Sequence, residues 1–98
     1  SPVEIETFMR RHPDISDVAV IGVPDEKYGE EACAVVRSAA GSIVTSNEIR
    51  QWCADRISRW KIPKYVEFVD EFPMTPSGKI QKFILQKRMT KLLGLDQK

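Results

Sequence analysis

The sequence predicts an α+β fold: one small domain, residues 1–98, in which a central three-stranded sheet packs against three helices. Three observations lead there. A chain of 98 residues buries roughly 60–65% of its unfolded surface, enough for one modest core. Hydrophobic spacing switches between helical and extended periods in the order α-β-β-α-β-α. The link between the first two extended segments is too short for a crossover, so at least these two strands form an antiparallel pair.

Each element has its own signal. Ser1 is a good N-cap, Pro2 fits the first helical position and Glu4 stands at capping-box distance. Ile5, Phe8, Met9 and His12 then recur at helical spacing, and Pro13 stops the helix, with His12 at its closing end. A cap at position 1, with no Met before it, suggests a piece of a longer chain. Asp17–Pro24 is β-branched and continuously apolar from Val18 to Val23, the pattern of a strand covered on both faces. Pro24–Glu30 reads as a polar loop, with Asp25 and Glu26 solvated, and Glu31–Arg37 as the second strand. Thr45 or Ser46 caps a second helix, with Glu48 at capping-box distance from Thr45 and a buried stripe of Ile49, Trp52, Cys53 and Ile57. Ser58–Pro63 breaks the pattern and Tyr65–Val69 alternates as a third strand. Phe72–Gly78 is a fixed, non-regular loop. Gln81–Leu93 is the last helix, with Leu85, Met89 and Leu92 on its apolar side and Gly94 past its end.

Composition excludes several classes. The longest apolar run falls far short of the about 20 residues a membrane-spanning helix needs, and no basic stretch leads an apolar segment as in a secretory signal. Two cysteines and one histidine are too few for a disulfide scaffold or a zinc site. Cys33 and Cys53 sit in apolar contexts, as small buried hydrophobes do, which favours a reducing, cytoplasmic setting. Net charge is +1, but it is unevenly spread. Residues 1–36 carry eight acids against three bases, whereas residues 37–98 carry twelve bases against six acids. Five bases and no acid lie between Ser77 and Leu95. An electropositive face there suits phosphate or a nucleotide, and would suit nucleic acid too.

Pro73-Met74-Thr75-Pro76-Ser77-Gly78-Lys79-Ile80-Gln81-Lys82 is the most informative stretch. Gly78 permits a positive φ or a close backbone approach. Pro73 and Pro76 remove conformational freedom, and Thr75 and Ser77 complete the loop. Lys79 projects from it as a mobile point charge for phosphate or carboxylate. This is not a Walker loop, because Pro73 stands where that motif needs glycine and Ile80 where it needs Ser or Thr. On spacing alone a functional Lys79 and an ordinary solvated turn lysine are both open. The remaining basic charges up to Lys91 read as a solvated helix face. Trp52 reads as core, whereas Trp60 and Tyr28 read as packing or as ligand stacking.

PMTPSGKIQK resembles the C-terminal signature of the adenylate-forming enzymes: acyl-CoA synthetases, peptide-synthetase adenylation domains and luciferases. SPVEIE resembles the segment after the interdomain hinge. GVPDEKYGE resembles the loop between the first two strands, and WKIPKYVEFVDEFP the lead into the lysine loop. The four segments cover nearly the whole chain in register. FPMTPSGKIQKFILQKRM is most similar to medium- and long-chain acyl-CoA synthetases.

The resemblance implies the mobile C-terminal lid domain of a two-domain, AMP-forming ligase whose N-terminal domain and hinge lie upstream. Such an enzyme joins a fatty acid to the α-phosphate of ATP, releasing pyrophosphate, and passes the acyl group from AMP to the thiol of coenzyme A. Lys79 matches the lysine that stabilises charge in the first step. After a domain rotation, another face serves the second. Tyr28, with Gly29 after it, and Trp60, among Lys61 and Lys64, match positions near the coenzyme A nucleotide. Some relatives carry arginine where Ile62 stands, so the phosphate contact falls to Lys61 or Lys64. ATP, coenzyme A and Mg²⁺ belong to the full-length enzyme, with Mg²⁺ held by the N-terminal domain. The 98-residue piece is expected to hold none of them stably, to lack a metal site and to be inactive by itself. Three alternatives stay open here. One is an adenylation domain that loads a carrier protein, or a luciferase-like enzyme. Another is a small nucleic-acid-binding module using the basic last helix, against which the acidic first third argues. The third is a stand-alone regulatory or structural fragment.

Overall fold

The computed structural model describes residues 1–96; Gln97 and Lys98 of the predicted domain lie outside the described residues. Helix α1 (Pro2–Met9) is followed by strands β1 (Ile15–Asp25) and β2 (Gly29–Ser38). Helix α2 (Ser46–Ala54), a short 3-10 turn (Arg59–Lys61), strand β3 (Tyr65–Phe68) and helix α3 (Lys82–Leu92) complete the chain. The predicted α+β class and element order hold.

The strands form one sheet in the order β1-β2-β3. β1 and β2 are antiparallel, with Val18 opposite Val36 and Val20 opposite Ala34. β3 runs parallel to β2, Cys33 opposite Tyr65 and Val36 opposite Phe68. The third strand's direction, open in the sequence, follows from α2. The helix carries the chain back along the sheet, so the strand after it re-enters in the direction of the one before.

The apolar run of β1 does what its pattern implies. Val18 and Val20 pack with Ala34, Val36 and Val66 beneath Met9 of α1 and Ile49 and Cys53 of α2. Ala19, Ile21 and Val23 pack on the other face with Cys33, Val35 and Phe72 beneath Leu85 and Met89 of α3. The sheet is therefore a central layer with a helical layer on either side, and the sides differ in what borders them.

Several local expectations change. Ser1 occupies the N-cap but its side chain makes no capping bond; Glu4 turns instead to Lys61. The Thr45–Glu48 capping box forms in full, with Thr45 Oγ1 accepting from Glu48 N at 3.1 Å and Glu48 Oε1 from Thr45 N at 2.9 Å. Leu92 is 64% exposed rather than buried. Its place is taken by Leu93 and Leu95, which pack on the second core. The chain turns there because Gly94 takes φ +69°, with Leu95 N donating to Thr90 O at 2.9 Å and Gly94 N to Lys91 O at 3.0 Å. That pattern is a Schellman stop. Trp52 lies on the core side of α2 as expected, its ring 5.0 Å from that of Phe8 and 4.9 Å from that of His12.

Candidate functional site

The polar loop expected over Pro24–Glu30 is a tight hairpin. Pro24 and Asp25 still pair, with Glu30 and Gly29 respectively. Asp25 is not a solvating residue: its side chain is only 12% exposed. Its Oδ2 accepts from Lys27 N at 3.1 Å and Tyr28 N at 2.9 Å, and its Oδ1 from Lys64 Nζ at 3.2 Å. The bond from Tyr28 N, together with the Lys64 ammonium, holds the Asp25 carboxyl below the usual range. Asp25 in turn raises Lys64. The tip thus presents Tyr28 to solvent, 66% exposed.

Tyr28, Trp60 and Lys64 come together along one open hollow, which Arg50, Arg59 and Glu31 also line. Trp60, at 81% exposed, is not packed inside this domain and turns its ring outward. Ile62, at the same hollow, belongs to the core under α1 and α2. Lys61 does not join the hollow's lining. Its ammonium bonds Glu4 Oε1 at 3.0 Å while lying 5.2 Å from the Trp60 ring centre. That hydrogen bond and charge hold Glu4 below its usual range. Gly29 closes the hairpin at φ +79°. Arg50 carried no sequence signal beyond a place on the polar face of a helix, so sequence reasoning missed it.

The lysine loop is a second hairpin. Met74 and Ile80 form an antiparallel bridge. Thr75 N donates to Lys79 O at 2.8 Å, Gly78 N to Thr75 O at 3.0 Å, and Gln81 N to Pro73 O at 2.8 Å. Thr75 Oγ1 accepts from Lys79 N at 3.0 Å and lies 3.0 Å from Ser77 Oγ. Pro76 occupies the second turn position, and Gly78 takes φ +86°, a conformation costly to any residue with a Cβ. The backbone under Lys79 is therefore fixed while its side chain stays exposed. Among the described residues no carboxylate lies within ion-pair distance of its ammonium. Phe72 and Ile80, at the base of this hairpin, pack on the α3 side of the sheet.

The lysine and the aromatic hollow thus border opposite sides of one sheet. Among the described residues no group of three His, Cys, Asp or Glu side chains stands close enough to hold a metal ion. No described helix is long and apolar enough to cross a membrane. Cys33 and Cys53 are free and buried. Burial, aided by the Glu67 charge, pushes the Cys33 thiol up to about 12, and burial raises Cys53 as well, so both are poor nucleophiles.

Comparison with known proteins shows the family and the fold. The sequence profile of the AMP-binding enzyme C-terminal domain matches residues 4–79. The chain is 47% identical over 94 residues to the medium-chain acyl-CoA ligase ACSF2, mitochondrial, of Homo sapiens, covering 96% of this chain and 15% of that protein. A fatty acyl CoA synthetase structure from Mycobacterium tuberculosis superposes with a TM-score of 0.84 at 41% identity, over 93% of this chain and 18% of that one. The amide bond synthetase McbA from Marinactinospora thermotolerans superposes with a TM-score of 0.82 at 34% identity, over 89% and 18%. The chain spans less than a fifth of the length of each of these relatives.

Proposed function

Because this chain belongs to the AMP-binding enzyme C-terminal domain family, we propose that it is the mobile C-terminal domain of an AMP-forming acyl-CoA synthetase and that it supplies the adenylation lysine. One observation carries the reading. An exposed lysine, with no carboxylate partner among the described residues, stands on a braced hairpin at one side of the sheet, and a hollow of exposed aromatics and cations lies at the other.

The chemistry needs both. In the first step a fatty acid carboxylate attacks the α-phosphate of ATP and pyrophosphate leaves. Two anions must approach, and negative charge builds on the oxygens around phosphorus. A cation on a rigid support relieves that repulsion without having to reorganise. Lys79 is that cation, and Pro73, Thr75, Pro76, Ser77 and Gly78 shape its support. In the second step the thiol of coenzyme A attacks the acyl carbonyl and AMP leaves. The domain then turns its other side to the active site. Exposed Trp60 and Tyr28 offer flat surfaces for adenine, with Arg50, Arg59 and Lys64 as phosphate partners. The Ile62 position leaves Lys64 in the hollow and Lys61 beside it. Glu31 narrows the anion's choice to the side away from it.

ATP and coenzyme A are substrates of the whole enzyme. Mg²⁺ arrives with ATP and is held by the N-terminal domain in this reading, as is the acyl chain. The domain by itself turns nothing over. The free, buried cysteines fit a reducing, cytoplasm-like compartment.

The test is Lys79→Ala in the full-length parent. Adenylation, followed by pyrophosphate exchange, should fall roughly 10²-fold or more, while thioester formation from supplied acyl-adenylate survives. Equal loss of both half-reactions, or of neither, overturns the reading. The likeness to an amide bond synthetase favours one second reading, in which the acyl group passes to an acceptor other than coenzyme A. AMP release that depends on coenzyme A selects the first reading; release with an amine or a carrier protein alone selects the second.

A further inference from the structure

Glu6 sits in the middle of α1, only 5% exposed. Its Oε2 accepts Val20 N of β1 at 2.7 Å and also receives the Lys82 ammonium. Lys82 is the first residue of α3 and lies three positions after Lys79. A lysine there stands against the helix macrodipole. Helix α3 has no acidic residue in its first turn and no side-chain bond at its N-cap Gln81 to offset it. Glu6 supplies the missing negative charge from another element. The carboxylate in turn is buried and needs its partners.

The lysine hairpin is held internally by its own hydrogen bonds. Its aim relative to the sheet is set where it joins the rest of the domain. On one arm that joint is buried Phe72; on the other it is Ile80, then Lys82. Apolar contacts at Phe72 and Ile80 fix depth but are non-directional. The Glu6–Lys82 pair is the directional tie nearest the hairpin, and it runs through Val20 to the sheet itself; one turn further along α3, Gln86 Nε2 donates to Gly22 O at 2.8 Å and anchors the helix body.

We infer that Glu6 is a positioning residue for the adenylation step, acting through Lys82 to aim Lys79. The inference rests on the reading of Lys79 given above. Misplacing a reacting group by an ångström can cost about a hundredfold in rate, so a loosened tie is felt at Lys79 without touching substrate.

The experiment uses the full-length parent with Glu6→Gln, Lys82→Met, both together, Lys82→Arg, and Lys79→Ala as reference. The two half-reactions are assayed separately. Glu6→Gln and Lys82→Met should each lower the adenylation kcat about ten- to a hundredfold, with the double variant no worse than either single. Lys82→Arg should restore most of the rate, and thioester formation from supplied acyl-adenylate should be unchanged in all. That retained half-reaction certifies folding. Equal loss in both half-reactions, or losses that multiply in the double variant, would overturn the inference. If Lys79→Ala leaves adenylation intact, the underlying reading fails. If Lys79→Ala abolishes adenylation while Glu6→Gln leaves it at the wild-type rate, only the positioning role fails.

Discussion

Lys64 Nζ donates to Asp25 Oδ1 at 3.2 Å, tying the tip of the β1–β2 hairpin to the segment that enters β3. Two residues 39 apart in sequence thereby fix the spacing between the ring of Tyr28 and the turn that carries Trp60. The same bond belongs to a wider set, since Glu4, Asp25 and Glu48 all hold their protons less tightly when folded.

Acid should therefore destabilise the domain. Glu4, Asp25 and Glu48 are held below ordinary values of 4.5, 3.8 and 4.5, so the unfolded chain binds more protons as pH falls. Their contribution is present above those ordinary values and is lost as pH drops through the lower folded ones. The melting temperature of the expressed domain should change little down to about pH 5 and fall below about pH 4. The triple variant Glu4→Gln, Asp25→Asn, Glu48→Gln should start lower and show a flatter acid limb. An unchanged slope would contradict the assignment.

The hollow should discriminate between its neighbouring lysines. In the full-length parent, Trp60→Ala should raise the KM for coenzyme A about tenfold, as loss of a base-stacking surface does, and Trp60→Phe should keep most of the affinity. Arg50→Ala and Lys64→Ala should raise it too. Lys61→Ala should act less on this KM, because Lys61 lies outside the hollow's lining whereas Lys64 belongs to it, although each ammonium also holds a carboxylate. Steady-state kinetics with varied coenzyme A read this directly; a Lys61 effect exceeding that of Lys64 would place the phosphate elsewhere.

Gly78→Ala tests the support beneath Lys79. A Cβ meets no atom within 4 Å there, so the penalty is conformational alone, at φ +86°. It should cost about 1–2 kcal/mol, or about 4–8 °C of melting temperature per kcal/mol in a domain this small. Adenylation should fall with it while thioester formation persists. A variant as stable and as active as the wild type would mean that the turn accepts other conformations.

The parts legible in the sequence are those decided by neighbours in the chain. The six-residue apolar run announced a two-faced layer, Thr45 and Glu48 announced a cap, and the two prolines and Gly78 announced a rigid turn under Lys79. What escaped depends on partners far along the chain. Ser1 and Glu4 match a capping box, yet Lys61, 57 positions away, wins the carboxylate. Leu92 keeps helical spacing with Leu85 and Met89, but the stop at Gly94 sends Leu93 and Leu95 inward instead. Glu6 looks like one more acid on a polar helix face. Its clue was indirect: a lysine opening α3 with no acid nearby in sequence asks for one from elsewhere.

A slab lined differently above and below cannot offer both linings to the same visitor at once. Whatever leans on this domain meets either the proline-bounded ammonium or the indole and phenol rings. In the proposed reading, passing from one to the other means turning the whole piece over. Temporal order would then come from nothing more elaborate than the thickness of one sheet.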